Sequence, residues 1–373
     1  MDHRGRQTFR NIVVVPQRGR RHCGGPIWPR FYLQVRARTC WGVVPVPIDT
    51  RPRDETPKRT IREGIWCGLV GLHYGHMIAD FSMRIAASAA SDPDLPLIFA
   101  LPEHPEFTPP VYFRQMLDAL GVERRRVVLV REPVLVGALH VFPQAERLYG
   151  GGPSRAHLDL MDRLFGPPDA SVMDLDTVYL SRSRVDRGGQ IAGEGYLEER
   201  LAETGVQVIH PQALAVTEQI ALYRRARKLI FSEGSAVHTL QLVGRIGADV
   251  AVLVRRPRRW LARASLRPRA RSLTYLSAVD DLVRGLGRSA RAQRHRGISI
   301  LNEDRLLREF ARIGIDLAPL WDCADYRARR DADIRSWIAY RRTEPRPDDE
   351  PRYVDARLAS LGIPVRYAGT AEP

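Results

Sequence analysis

The stretch that most constrains what this chain can fold into is residues 227–243, R-K-L-I-F-S-E-G-S-A-V-H-T-L-Q-L-V. Leu229-Ile230-Phe231 is a short apolar run of the kind that makes a buried strand. It passes through Ser232-Glu233-Gly234-Ser235 into Ala236, Val237, Leu240, Leu242 and Val243, whose spacing predicts a packed helix. A strand, a tight glycine turn and a helix N-terminus leave free N–H groups and a positive dipole end beside the turn. That is a ready anion site, suited to a nucleotide diphosphate. Gly234 would allow close approach of a ligand and a positive φ. An ordinary β-to-α connection in an α/β domain has the same pattern.

The rhythm recurs on either side. In the second half, 177–180 reads as a strand, 195–204 as a helix stopped by Gly205, and 206–209 as a strand. Thr217 can cap a helix at 218–227, and 249–254 (D-V-A-V-L-V) closes the unit. In the first half, strands are expected at 11–16, 65–72, 97–101, 127–130 and within 134–142, and helices at 77–90, 112–120 and 154–165. Consecutive strand–helix units with short loops predict Rossmann-like parallel sheets with ligands at the strand C-termini. Pro167-Pro168 is the best boundary, giving units 1–168 and 169–284. Residues 285–373 read as a helical extension, with helices at 303–313 and 326–342 and an acidic surface linker at 343–351. Residues 17–59, rich in Arg, Pro and Gly, read as loops.

Length and composition agree with two ordinary domains: 373 residues, 44% hydrophobic, enough to bury substantial cores. The net charge of +15 is almost all arginine, because lysine occurs only at Lys58 and Lys228. Residues 251–300 hold thirteen arginines against Asp280 and Asp281. An anionic partner fits this bias: a nucleotide sugar, an acidic glycan, a phospholipid surface or nucleic acid. Cys23, Cys40, Cys67 and Cys323 lack metal-ligand or disulfide-scaffold spacing and read as buried free thiols in a reducing compartment. The N-terminus has no apolar signal-peptide core and no window offers a membrane-spanning apolar run, so a cytoplasmic protein is expected, one able to sit on a membrane surface.

Three constellations could carry chemistry. Ser181-Arg182-Ser183-Arg184, with Arg187 and then Glu194, follows a predicted strand. Guanidiniums there can clamp a pyrophosphate, and Glu194 could accept a ribose or sugar hydroxyl; a solvated arginine-rich loop would look the same. Glu218-Gln219 stands at a helix start, where acidic residues are favoured by the dipole alone. His76 and Asp80 share a helix face, either as a general base with its orienting carboxylate or as a surface hydrogen-bonded pair. No P-loop, G-x-S-x-G, H-E-x-x-H or G-x-G-x-x-G pattern occurs.

Taken in order, V-Y-L-S-R (178–182), Arg187, Glu194, E-Q-I (218–220) and L-I-F-S-E-G-S-A-V-H (229–238), with Gly75-His76 and Asp80 upstream, resemble the family sixty-one glycosyltransferases. That family includes bacterial capsular polysaccharide biosynthesis proteins. The resemblance covers about 70–245. It departs from the family pattern at two positions: Gly193 replaces an asparagine before Glu194, and Glu233 replaces a histidine before Gly234. A carboxylate at 233 would repel phosphate unless it bound a hydroxyl instead, and His238 stands four positions beyond Gly234 as a replacement imidazole.

The resemblance implies a GT-B architecture, two Rossmann-like domains facing across a cleft, with metal-independent, inverting transfer from a nucleotide sugar to a glycan or lipid-linked saccharide. The C-terminal half would hold the donor: Arg182 and Arg187 on the diphosphate, the N–H groups of Ser235 and Ala236 sharing its charge, Glu233 or Glu194 on hydroxyls, and Glu218, Gly234 and His238 around it. Asp80, helped by His76, would deprotonate the acceptor hydroxyl. No cofactor or metal is expected. The basic 255–271 stretch would face anionic lipid or glycan. The rival readings are a non-catalytic polyanion binder and a nucleotide-binding protein without turnover. Nucleic acid is disfavoured because aromatic residues rarely interleave the arginine runs, Trp260 being the main case.

Overall fold

The computed structural model describes residues 5–18, 24–28, 39–41, 44–46, 55–185, 189–288 and 290–367. It is a mixed α/β structure in which the strands nearest the candidate site run parallel.

The C-terminal half is built on five parallel strands in the spatial order Gln207–Ile209, Leu175–Leu180, Ala226–Ser232, Asp249–Leu253 and Ser272–Leu276. Val178, Leu229, Ile230, Phe231, Val250 and Val252 are buried on both faces, as continuous apolar runs in a parallel sheet require. From Leu175–Leu180 the chain steps to one side, then returns to Ala226–Ser232 on the other. The connections leaving Leu180 and Ser232 therefore diverge and open a crevice at the strand C-termini, where open α/β sheets bind ligands.

The N-terminal sheet has the order Gly25–Pro26, Gln7–Val15, Val134–Val141, Arg59–Leu69, Leu97–Ala100, Val127–Val130. The last four run parallel, and Gln7–Val15 adds antiparallel to them. The helix expected at 77–90 is broken into three pieces: Tyr74–His76, a π-helical turn Met77–Phe81, and Ile85–Ser91. The turn is set by Ser82 N–H donating to the Met77 carbonyl at 2.9 Å. Such bulges concentrate at functional sites because they re-aim side chains. Ser154 caps Arg155–Phe165, accepting from His157 N, and Gly166 ends that helix at φ 82°.

One buried apolar cluster runs from Ile12 and Val14 to Leu261 and Leu266, so both sheets share a core. Polar links cross it as well: Glu146 pairs with Arg269 where neither is solvent-exposed, and Tyr74 OH and Thr239 Oγ1 lie 2.6 Å apart.

The region after 285 is not wholly helical. Val279–Leu286 and Ala292–Leu301 form an antiparallel hairpin, joined by Gln190–Ile191, before the helices Glu303–Arg312, Cys323–Thr343 and Glu350–Ser360. Ile298, Ile300, Ile334, Trp337, Val354 and Leu358 make a separate core there. The last helix begins inside the expected linker, because the Glu350 carboxylate turns inward onto Arg341. Cys67 is buried, but Cys323 is exposed, against expectation; Cys23 lies outside the described residues. Among the described residues, no helix is long and apolar enough to cross a membrane.

Candidate functional site

The crevice between the two sheets is a cavity of about 920 Å³, within the range of small-molecule sites. The N-terminal half contributes His73, Tyr74, Gly75, His76, Val111, Tyr112, Gln115, Leu148 and Tyr149. The C-terminal half contributes the ends of consecutive strands: Ser181 and Arg182 after the first, 211–216 after the second, Gly234, Ser235 and Ala236 after the third, and Arg255 and Arg256 after the fourth.

Gly234 sits where the sequence placed it, for a different reason. Its φ is −174°, extended backbone open to any residue. What excludes a side chain is space, since a Cβ there would overlap the Arg182 guanidinium. The following element, Ser235–Leu242, is a 3₁₀ helix rather than an α-helix. The first N–H groups of such a helix lack intrahelical acceptors, and Ser235 and Ala236 line the cavity.

Arg182, Arg255 and Arg256 converge on this turn. Burial pulls the Arg182 guanidinium below its ordinary value, and Arg256 adds repulsion. Burial also pulls Arg255 down, to about 10, with repulsion from Arg182 and Arg256. Arg255 is 6% exposed, and its Nε and Nη1 have no hydrogen-bond partner among the described residues. A buried guanidinium with two nitrogens unsatisfied among the described residues, beside two others, costs stability and is a marker of a site built for an anion. Arg187 lies outside the described residues.

The three glutamates expected on a donor do not face the cavity. Glu233 is 1% exposed; its Oε2 accepts from Arg255 N at 2.7 Å and Arg256 N at 3.0 Å, and Oε1 accepts from Arg256 Nε at 2.6 Å. The carboxylate feared as a phosphate repellent is thus spent on aiming the arginines. Glu194 is equally buried, and its Oε1 accepts from Tyr179 OH at 2.9 Å and Arg182 N at 3.0 Å, fixing the end of the first strand; burial raises its pKa. Glu218 is exposed and accepts from Ala215 N at 2.6 Å, a helix cap. That helix starts at Val216, with Ala215 rather than Thr217 at the N-cap.

His76 and Asp80 are brought together, with His76 rather than Asp80 at the cavity. Asp80 is fully buried: Oδ2 lies 3.1 Å from His76 Nδ1, and Oδ1 accepts from Leu148 N at 2.9 Å. Asp80 does not line the cavity, whereas His76 does. An aspartate so held orients an imidazole and stabilises its cation; it is not placed to reach an acceptor itself.

His238 also faces the cavity, close enough to Gly75 that a Cβ there would lie 3.4 Å from His238 Cδ2. Gln241 Nε2 donates to Glu146 Oε2 at 3.2 Å and Ser265 Oγ at 3.3 Å, so Gln241 Oε1 faces His238 Nδ1 at 2.7 Å. His238 Nδ1 therefore carries the proton, leaving Nε2 a lone pair. Burial pushes His238 down to about 4.

Sequence reading missed Arg255 and Arg256 as site residues, assigning them to an outward basic surface. The signal was present, since they directly follow the apolar run 249–254 and ligands gather at strand C-termini. Residues 74–243 match the family model described as Glycosyltransferase 61; no curated protein matches the chain. His76, Asp80, Arg182, Gly234 and His238 fall inside the matched segment.

Proposed function

We propose, from the match of residues 74–243 to the glycosyltransferase 61 family model, that the cavity transfers a sugar from a nucleoside diphosphate donor to a saccharide hydroxyl. The observation that carries the donor assignment is that Arg182, Arg255 and Arg256 line the cavity with Ser235 and Ala236, and that Nε and Nη1 of Arg255 have no partner among the described residues. The diphosphate lies on this cluster, and the base and ribose lie along 211–216. The two α/β halves facing across the cavity support a GT-B arrangement.

The acceptor hydroxyl enters from the N-terminal side beside His76. Its oxygen attacks the anomeric carbon as the bond from that carbon to the diphosphate oxygen breaks. The proton passes to His76 Nε2, and the imidazolium is held by Asp80. The departing diphosphate keeps the bonding electrons, and its charge is met by the arginines, the work a divalent cation would otherwise do. A single displacement inverts the anomeric centre.

The test is a thermal-shift screen against nucleoside diphosphates and nucleotide sugars, with and without chelator, followed by product analysis. A ligand that binds only the folded state raises the midpoint. One nucleotide class should do so without added metal, and Arg182→Ala should abolish the shift. No nucleotide shift, alongside a shift with heparin, would replace this reading by polyanion binding.

A further inference from the structure

The four most exposed large apolar side chains among the described residues are Leu72 at 69%, Val111 at 63%, Trp260 at 58% and Tyr149 at 54%. All four lie on the cavity wall or next to it in sequence. Val111 and Tyr149 line the cavity, Leu72 directly precedes His73, and Trp260 directly precedes Leu261, both of which line it. Exposed apolar groups scattered over a surface need no explanation, but four at or beside the walls of one cavity do.

The Trp260 side of the cavity is strongly basic. No acidic residue occurs between Asp249 and Asp280. Arg258, Arg259, Arg263 and Arg267 are exposed. Arg263 lies over the Trp260 ring, 4.5 Å from its centroid. Arg258, Arg259 and Arg267 have no carboxylate partner among the described residues, whereas Arg269 and Arg271 are paired with Glu146 and Asp249. The loop is also pre-set. Arg258 and Ala262 both hold φ 58°, a left-handed conformation unfavourable for side chains, and Tyr275 OH donates to the Leu261 carbonyl at 2.7 Å.

We propose that this rim docks on an anionic lipid bilayer. Trp260, Leu72, Val111 and Tyr149 enter the headgroup boundary, and Arg258, Arg259, Arg263 and Arg267 face lipid phosphates. Charge complementarity sets the choice of an anionic surface, and tryptophan beside arginine is suited to that boundary. A hydrated polyanionic glycan would satisfy the arginines but give Leu72 and Val111 nothing, whereas the acyl boundary removes them from water. The cavity then opens onto the membrane, and the acceptor saccharide is one carried on a lipid. That last step rests on the transferase reading; the docking itself does not.

The experiment is co-sedimentation of the full chain with vesicles of phosphatidylcholine, alone or mixed with phosphatidylglycerol, and with soluble heparin as competitor. The wild-type chain should sediment with the mixed vesicles only. Arg258→Ala with Arg259→Ala should lower partitioning by about thirtyfold, roughly fivefold for each cation near the surface. Leu72→Glu, on the N-terminal side of the cavity, should weaken it too, at high salt as well as low. Nucleotide-induced thermal shifts should be unchanged in both variants, which also reports that they are folded. Equal partitioning of wild type and variants, or of the wild type into neutral and anionic vesicles, would overturn the proposal, as would heparin binding without vesicle binding. A failed transferase reading would show separately, as the absence of any nucleotide shift in the wild type.

Discussion

Replacing Arg255 with methionine should make the ligand-free protein more stable and the site useless. Burial and two neighbouring guanidiniums pull Arg255 from 12.5 to about 10. At about 1.4 kcal/mol per unit, the folded state carries this cation at a cost of about 3 kcal/mol. The sign follows from linkage: the unfolded chain holds the proton more tightly, so the penalty is constant at neutral pH and is relieved only as pH rises above about 10. Methionine keeps the linear stem without the charge. With an unfolding entropy of about 2.1 cal/mol/K per residue, the gain corresponds to a midpoint roughly 4 °C higher, if the chain melts as one unit. Binding moves the other way. Loss of a charge-assisted contact worth about 1.5–3 kcal/mol weakens a nucleoside diphosphate by roughly ten- to a hundredfold. The assay is calorimetric melting of Arg255→Met from about pH 6 to 9, with and without nucleotide. A variant that melts lower than wild type and keeps its nucleotide shift would show that Arg255 is a structural cation and refute the reasoning.

Other changes separate the parts of the site. Asp80→Asn should lower turnover by about a hundredfold or more, because an amide cannot stabilise the His76 cation, while nucleotide affinity stays the same; parallel loss of both would assign Asp80 to binding or folding. Gly234→Ala should fold normally, since φ −174° is open to alanine, yet bind nucleoside diphosphate at least about tenfold more weakly as the methyl displaces Arg182; undiminished affinity would remove Arg182 from the donor site. Acid should destabilise the fold through two buried imidazoles, His238 held down to about 4 and His157 to about 3, against an ordinary value of 6.5. The unfolded chain gains those protons first, so stability falls as pH drops from about 6.5 towards 4, by about 2.7 kcal/mol per unit for the pair. Urea midpoints should show this slope halved in His157→Leu, and an unchanged slope would assign the acid sensitivity elsewhere.

Which features were legible in the sequence follows from the physics of each. The strands Ala226–Ser232 and Asp249–Leu253 announce themselves because a buried parallel strand must be apolar on both faces. The position of the glycine turn at 234 follows from the strand before it, and the helix stop at Gly205 was legible because its φ of 85° favours glycine. The hairpin at 279–301 was hidden because it carries Arg284, Arg291 and Arg296 among its apolar residues and follows no strand–helix rhythm. Side-chain direction was the larger loss. Glu194 follows the arginine-rich 181–187 loop in sequence and Glu233 adjoins Gly234, and only the fold shows that both turn away from the cavity to pin backbone N–H groups. Asp80 was read as the base facing the acceptor from a regular helix face; the π turn and the Leu148 N–H bury it instead.

The cavity's chemistry and the union of the two halves depend on the same buried charges. Glu146, from the first half, meets Arg269 of the second with no solvent access on either side. Removing one member of such a pair strands the other, which costs more than the intact pair contributes. Glu146 also accepts from Gln241 Nε2, and that bond decides which end of the amide faces His238. The carboxylate that ties the halves together thereby sets the imidazole's tautomer, two residues away from the cavity wall. On the other side, Tyr74 reaches across to Thr239, whose hydroxyl donates to Gln219, a residue that lines the cavity. A hinge free enough to part the sheets would break each of these bonds and leave Glu146 and Arg269 unpaired in an apolar core. The Gly234 turn, the two imidazoles and the arginine cluster are therefore in place before any ligand arrives, and binding energy goes into contacts rather than into closing the cleft.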